Sequence, residues 1–423
     1  MRPFRRQHDL LRRAPGFRSL FLATAGSSIG TYLALIALIV DVTDRTHSGA
    51  WVSALLIVEF LPMLVIGLAL APVVDRLPRR SLMIGADLVR FAAFAALPFA
   101  PSAGAIVGLA AVAGFATGFF RPAVYAGLPN LTDDSDLPQA NSLLQAVESL
   151  AGLAGPLAGG VIVQAVGPDI NYAVNAVTFL VSAAFLMRIP AGRLQQGVAA
   201  SMGHLQDLRE GFRVVRGSRA LLTVLIVWTI VMIGNGHMNV SEVFLVKDAM
   251  NGGDFGFGLL MAGSGLGLMI GSLLGGSLIE RRSMAEVYGG AIVLMAVGTG
   301  LTAISPTVWL AVVFLVAFGI GNGVALVCNP VFVQRGAPDA VRGRAFTVIM
   351  STNFAMLGLA MAAAGPFTDA VGPRWVWGFM AGAYAVAAGV ALVLARSMRA
   401  SERVAPPAAV QLVAGGTSQP PPS

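Results

Sequence analysis

The chain has 423 residues, of which 56% are hydrophobic and 12% charged, and its mean hydropathy is +0.77. A soluble domain carries roughly 25% charged residues, so this composition excludes an ordinary globular protein and points to an integral membrane chain. The net charge of +7 is meaningful only through where the positive residues fall, and the one cysteine, Cys328, excludes a disulfide framework or a thiolate-rich metal site.

A helix crossing the hydrocarbon core needs about 20 mainly apolar residues. The apolar runs predict twelve, at about 17–40, 51–74, 82–100, 103–128, 140–166, 170–188, 220–246, 254–279, 285–304, 307–334, 343–370 and 375–395. The first follows the basic segment MRPFRRQHDLLRRAPGF. Its apolar run exceeds the roughly 7 to 15 residues of a signal-peptide core, so it is read as a retained helix. With the N-terminus inside, Arg45, Lys247 and Arg374 fall outside and Arg90 and Arg121 lie within helices, which leaves 23 of the 28 Lys and Arg residues on the cytoplasmic side. That asymmetry predicts cytoplasmic termini in a bacterial-type inner membrane, and it removes the need for a nucleic-acid partner.

The sequence repeats itself at a spacing of 205 to 210 residues. Pro122 and Pro129 answer Pro330 and Pro338, Pro156 answers Pro366, Gly167-Pro168 answers Gly372-Pro373, and Asp75-Arg76 answers Glu280-Arg281. Two homologous halves follow, of the kind that rock about a central site in carriers. The predicted organisation is a basic cytoplasmic segment 1–16, a six-helix bundle 17–188, a cytoplasmic linker 189–219, a second bundle 220–396 and a disordered tail 397–423. The linker contains LQDLREGFRVVRGSRALL, whose helical alternation suits the inner membrane surface.

A charged carboxylate inside the membrane costs at least about 2.5 kcal/mol on insertion scales, so an acidic residue there demands a partner, water or a proton. Glu59 lies about 12 Å inside predicted helix 2 at 1.5 Å per residue. Glu148 shares a face of predicted helix 5 with Asn141, Gly152, Gly155 and Gly159, and Arg121 on helix 4 reaches nearly the same depth, which makes an Arg121–Glu148 ion pair plausible. Glu242 lies in GNGHMNVSE of helix 7, where Gly234 and Gly236 suggest a broken helix lining a cavity and Asn235, Asn239 and Glu242 share one face. His237 joins them as a group that titrates near neutral pH, or points away and packs if the helix is unbroken. Glu59, Glu148, Glu242 and His237 are therefore the proton-coupling candidates. Glycines of helices 5 and 8 have small-xxx-small spacings that let backbones approach closely. GSGLGLMIG in helix 8 follows no strand, so it is not a nucleotide fingerprint, and no Walker A sequence, metal-ligand spacing or nucleophile constellation indicates a cofactor or an enzyme.

The charge cluster from Ala71 to Arg80, APVVDRLPRR, resembles the G-x-x-x-D-R-x-G-R-R signature of major facilitator superfamily transporters, with Ala71 and Pro78 in place of its two glycines. PNLTDDSDLPQANSLLQAVESLAGLAGPLAGG and APDAVRGRAF look like the macrolide-efflux and enterobactin-exporter-like group within it, over about residues 17 to 396. The resemblance implies an all-α integral membrane fold, with twelve transmembrane helices in two pseudo-symmetric six-helix bundles. It also implies a monomeric drug:proton antiporter that exports small amphipathic or antibiotic-like molecules across the lipid bilayer. The group often has an acidic residue on helix 1 after S-x-x-G, where this chain has Thr31. Since helices 1, 4, 7 and 10 line the superfamily's cavity, the resemblance nominates Ser27, Thr31, Tyr32, Arg121, Asn235, Asn239, Asn322 and Asn329 as substrate contacts. The excess of acid over base around them favours neutral or cationic cargo. Asp75, Arg76, Arg79, Arg80, Asp87 and Arg90 are read as a conformational latch at the cytoplasmic rim. A facilitative or import carrier of a metabolite, and a non-transporting membrane sensor on the same fold, stay open as alternatives.

Overall fold

The computed structural model describes residues 9–66, 77–133, 135–194, 212–336 and 339–404. Among them twelve long helices follow in order: α1 Pro15–Thr46, α2 Gly49–Val65, α3 Arg79–Ala96, α4 Ala103–Gly127, α5 Leu137–Val166, α6 Asp169–Met187, α7 Arg219–Phe244, α8 Gly253–Arg281, α9 Met284–Ile304, α10 Val308–Gly336, α11 Asp339–Val371 and α12 Pro373–Val404. Eleven are long and apolar enough to cross a bilayer. The shorter one is α2; the remainder of the run expected to reach Val74 lies outside the described residues, as do Asp75 and Arg76 and most of the predicted linker.

Local chemistry sets the helix ends. Ser102, Ser218 and Ser283 cap α4, α7 and α9, each side chain accepting from a first-turn backbone N–H. Gly167 and Gly372, the repeat partners, close α5 and α11 with φ of 83° and 81°, a region that costs a residue with a Cβ but not glycine.

Two expectations need correction. Helix α7 runs unbroken through Gly234 and Gly236, and its irregularity comes later, as a π turn at Leu245–Ala249. A Cβ on Gly234 would lie 2.4 Å from the Tyr384 ring and one on Gly236 2.5 Å from Ala360 Cβ, so these glycines admit α12 and α11 at close range rather than unwind the helix. The second correction is at the C-terminal end, where α12 continues to Val404, past the predicted start of the tail.

Polar contacts sort the helix ends into two faces. Arg45 at the end of α1 donates to Ala100 O, between α3 and α4, and Arg374 at the start of α12 donates to Ala303 O and Ser305 O at the end of α9 and to Ala249 O after α7. These ends form the far face. At the terminal face, where α1 begins, Arg79 donates to Ala126 O and Leu194 O, and Arg80 to Leu186 O and Met187 O.

Within the first half α1 packs on α5 and α6, α3 on α4 and α6, and α2 on α4; the second half repeats every pairing six helices later. The halves meet along α2–α11 and α5–α8. Glycine makes both seams tight, since a Cβ on Gly258 would lie 2.4 Å from Pro156 O and one on Gly365 2.2 Å from Gly49 O. The seams are fastened toward the far face. Asp369 of α11 accepts from Ser48 Oγ, Gly49 N and Ala50 N at 3.0, 2.6 and 3.2 Å, so a carboxylate of one half caps the first turn of a helix in the other. Lys247 adds a bridge to Asp44 across the halves and one to Asp254 at 2.9 Å. Beside the Ser53–Met361 hydrogen bond, α2 and α11 line an apolar cavity of about 700 Å³, bordered by Phe60, Leu61, Phe346 and Phe354.

Loss of a helix cap costs about 1 kcal/mol, roughly a five-fold change in an opening equilibrium. Asp369→Ala is therefore expected to speed amide hydrogen exchange at Gly49 and Ala50 about five-fold. Unchanged protection would show that this carboxylate does not hold the seam.

Candidate functional site

The first half carries a partly open cavity of about 120 Å³ among α1, α3, α4 and α5, with polar groups set in a largely apolar wall. Helix α4 runs to the terminal face, the chain turns, and α5 returns alongside, which brings Arg121 and Glu148 to one depth. Arg121 Nη2 donates to Glu148 Oε2 at 2.6 Å, and Ser28 Oγ donates to Oε1 at 3.5 Å. Helix α1 completes the wall because Gly152 and Gly155 let Tyr32 lie directly on α5. Ser27 and Thr31 line the cavity too, Thr31 Oγ1 donating to Ser27 O at 2.7 Å. The structure thus gathers Ser27, Thr31, Tyr32, Arg121 and Glu148 in one place.

Four polar wall residues were not singled out from the sequence, Thr24, Ser28, Thr117 and Tyr125, and a fifth, Arg90, was assigned to the latch instead. A signal for the first two was present. Thr24, Ser27, Ser28 and Thr31 are spaced i, i+3, i+4, i+7, a hydroxyl stripe on an otherwise apolar helix.

Arg90 comes from α3 and links the cavity to a deeper cluster. It forms an ion pair with Asp87, and Asp87 Oδ2 accepts from Ser182 Oγ of α6 at 2.7 Å. The guanidinium carbon lies 4.2 Å from the Phe120 ring centroid and 4.4 Å from that of Phe179, a cation–π clamp that holds it in place. Asp87 is fully buried and Arg90 4% exposed, about 12 and 17 Å along α3 from its start. The rim position expected for these two residues is therefore corrected, because the run resuming at Leu82 carries them deep into the bundle. Arg79 and Arg80 do sit at the terminal face, where they bind carbonyls at the ends of α4 and α6 within their own half. Glu280, Arg281 and Arg282 are exposed at the end of α8.

The other predicted residues are dispersed. Glu59 lies where α2 crosses α4 at Gly114, and its Oε1 is buried without a hydrogen-bond partner. Glu242 on α7 is 3% exposed with Oε1 in the same condition. His237 packs between Phe367 and Phe379 with Nδ1 2.8 Å from Ile233 O, the arrangement anticipated for an unbroken helix. Asn235 Oδ1 accepts from Tyr384 OH at 2.8 Å, and Asn239 is half-buried. Asn322 Oδ1 and both polar atoms of Asn329 are buried without partners. None of these borders the Arg121–Glu148 cavity among its described wall residues.

Two six-helix halves with matching internal pairings, fastened on one face and carrying a charged cavity within the bundle, define a membrane transporter of the major facilitator fold. The chain belongs to the transmembrane secretion effector family of that superfamily, whose profile matches residues 11–413. It is similar to macrolide efflux protein A of Streptococcus pyogenes, 22% identical over 368 residues that span 84% of this chain and 90% of that protein. It is also similar to the multidrug efflux pump Tap of Mycolicibacterium fortuitum, 29% identical over 384 residues, spanning 85% and 91%. Among solved structures, a variant of the nucleoside transporter NupG shares the fold with a TM-score of 0.74 at 14% identity, over 90% of this chain and 99% of that one.

Removing one partner of a buried ion pair costs about 3–5 kcal/mol, whereas replacing both with apolar groups is far milder. Asp87→Ala should therefore lower the thermal unfolding midpoint strongly, and adding Arg90→Leu should restore most of it. A double variant as unstable as the single would show that the charge of Arg90 is not the cause.

Proposed function

We propose that the chain is a secondary active exporter of small amphipathic or antibiotic-like molecules, working by proton antiport with alternating access. The observation that carries this reading is the Arg121–Glu148 pair on the wall of a cavity lined by α1, α3, α4 and α5. A carboxylate whose charge is held by one arginine can exchange that partner for a proton, which releases the arginine and changes the cavity's charge. Glu59 and Glu242, each with an oxygen that no donor reaches, are the further proton-carrying candidates, while the packing of His237 weighs against it.

The distribution of positive charge supports cytoplasmic termini and an inner-membrane location. The terminal face is then cytoplasmic, and seams fastened at the far face make this conformation inward-facing. The efflux proteins among its relatives support the direction of transport and the substrate class. Arg79 and Arg80, with Asp75 and Arg76, remain the proposed latch for the opposite conformation. Two six-helix bundles, the second running through α12 to Val404, with a linker on the inner membrane surface between them and a monomeric carrier, complete the proposal.

The test is efflux of labelled drugs from energised cells, with and without a protonophore. Wild-type export should collapse when the gradient is dissipated, and Glu148→Gln should retain less than about a tenth of the rate. Export that persists without a gradient would overturn antiport and favour a facilitative carrier.

A further inference from the structure

At about 120 Å³ the Arg121–Glu148 cavity is too small for a whole drug-sized ligand, whose pockets span roughly 300–1,000 Å³. It has room for a head group. Both charges of the pair are reachable, the Arg121 side chain being 42% exposed and that of Glu148 16%. Arg121 has further N–H donors beyond the Nη2 that binds Glu148, because a guanidinium carries five. The second arginine on the wall, Arg90, is already countered by Asp87 in the layer behind it. Tyr32 and Tyr125 are the other titratable groups facing Glu148 across the cavity.

A simple anion entering here competes with Glu148 for Arg121 and leaves the glutamate without its counter-charge; a simple cation does the reverse to Arg121. Either exchange leaves one charge of the pair without its counter-charge, at greater cost for the more buried Glu148. A ligand bearing both charges replaces one ion pair with two and strands neither side chain. The hydroxyls of Ser28, Thr31 and Tyr32 supply polar contacts around it.

We propose that this cavity binds the zwitterionic head of an amphipathic amino acid or short peptide, its carboxylate on Arg121 and its ammonium on Glu148, with the apolar remainder outside the cavity. The inference rests on the export reading and narrows its substrate class. It also replaces the expectation of neutral or cationic cargo, because Arg90 and Arg121 both stand on the wall and Glu148 is the one acid there among the described residues. Coupling follows from the same geometry: the ammonium and a proton compete for one carboxylate, so occupancy by either excludes the other.

Three ligands with one tail and different heads test it on the full-length protein in lipid nanodiscs: 2-aminooctanoic acid, octanoic acid and octylamine, measured by calorimetric titration without a gradient. The zwitterion should bind at least about ten-fold more tightly than either of the others. Glu148→Gln should reduce its affinity to that of octanoate, and Arg121→Gln to that of octylamine. Should either variant fail to fold, the double exchange Arg121→Glu with Glu148→Arg keeps the pair and should keep the preference. Octanoate or octylamine binding as well as the zwitterion, or no binding of the zwitterion, would overturn the proposal. Because no gradient is involved, zwitterion preference alongside protonophore-resistant export would refute antiport alone.

Discussion

Charge compensation in a low-dielectric interior is the constraint on which this structure depends. A bilayer offers no water to a buried ion, so each must find its counter-charge or its hydrogen bonds within the protein. Asp87 is held by Arg90 and Ser182, and Arg90 in turn by two aromatic rings. Asp41 is held by Arg45, at 2.6 Å, and by Tyr172 OH, at 3.0 Å. Arg374 spends its donors on three carbonyls at helix ends. Against that rule Arg121 and Glu148 are distinctive, since they satisfy each other while remaining accessible from a cavity. Glu59 and Glu242 depart from it, each with an oxygen that has no partner.

The second organising feature is the absence of side chains where helices cross. Between lipid-facing helices there is little hydrophobic gain from association, so close backbone approach and its dispersion contacts carry more of the stability. A Cβ on Gly271 of α8 would lie 2.1 Å from Ile320 O of α10, and one on Gly323 of α10 2.3 Å from Leu268 O of α8, so the two helices interlock. The same device operates at the seams between halves, where Gly258 and Gly365 admit the opposing backbone. The polar contacts of Asp369 and Lys247 add to these seams at the far face.

Much of this architecture was legible in the sequence. Runs of about 20 apolar residues have one stable solution in a bilayer, and the proline and glycine echoes between halves marked equivalent turns in equivalent helices. The juxtaposition of Arg121 and Glu148 could be read from helix rise alone, because adjacent antiparallel helices joined by a short turn place residues equidistant from that turn at the same depth. The glycines of α7 misled, since a glycine required for close packing and one that unwinds a helix look identical in a sequence.

What the sequence determined by itself was the class: a membrane chain of two repeated halves, because hydropathy, helix length and positive-charge placement are properties of residues taken along the chain. What only the tertiary structure decided was which polar groups share a cavity. Arg90 belongs to α3, and nothing in its own helix indicates that it faces Arg121 and Glu148 while Asp87 lies behind it. The rotation of each helix about its axis is set by packing against several neighbours at once. That rotation assigned Arg90 to the cavity wall and gave the site two cations where the linear sequence suggested an excess of acid.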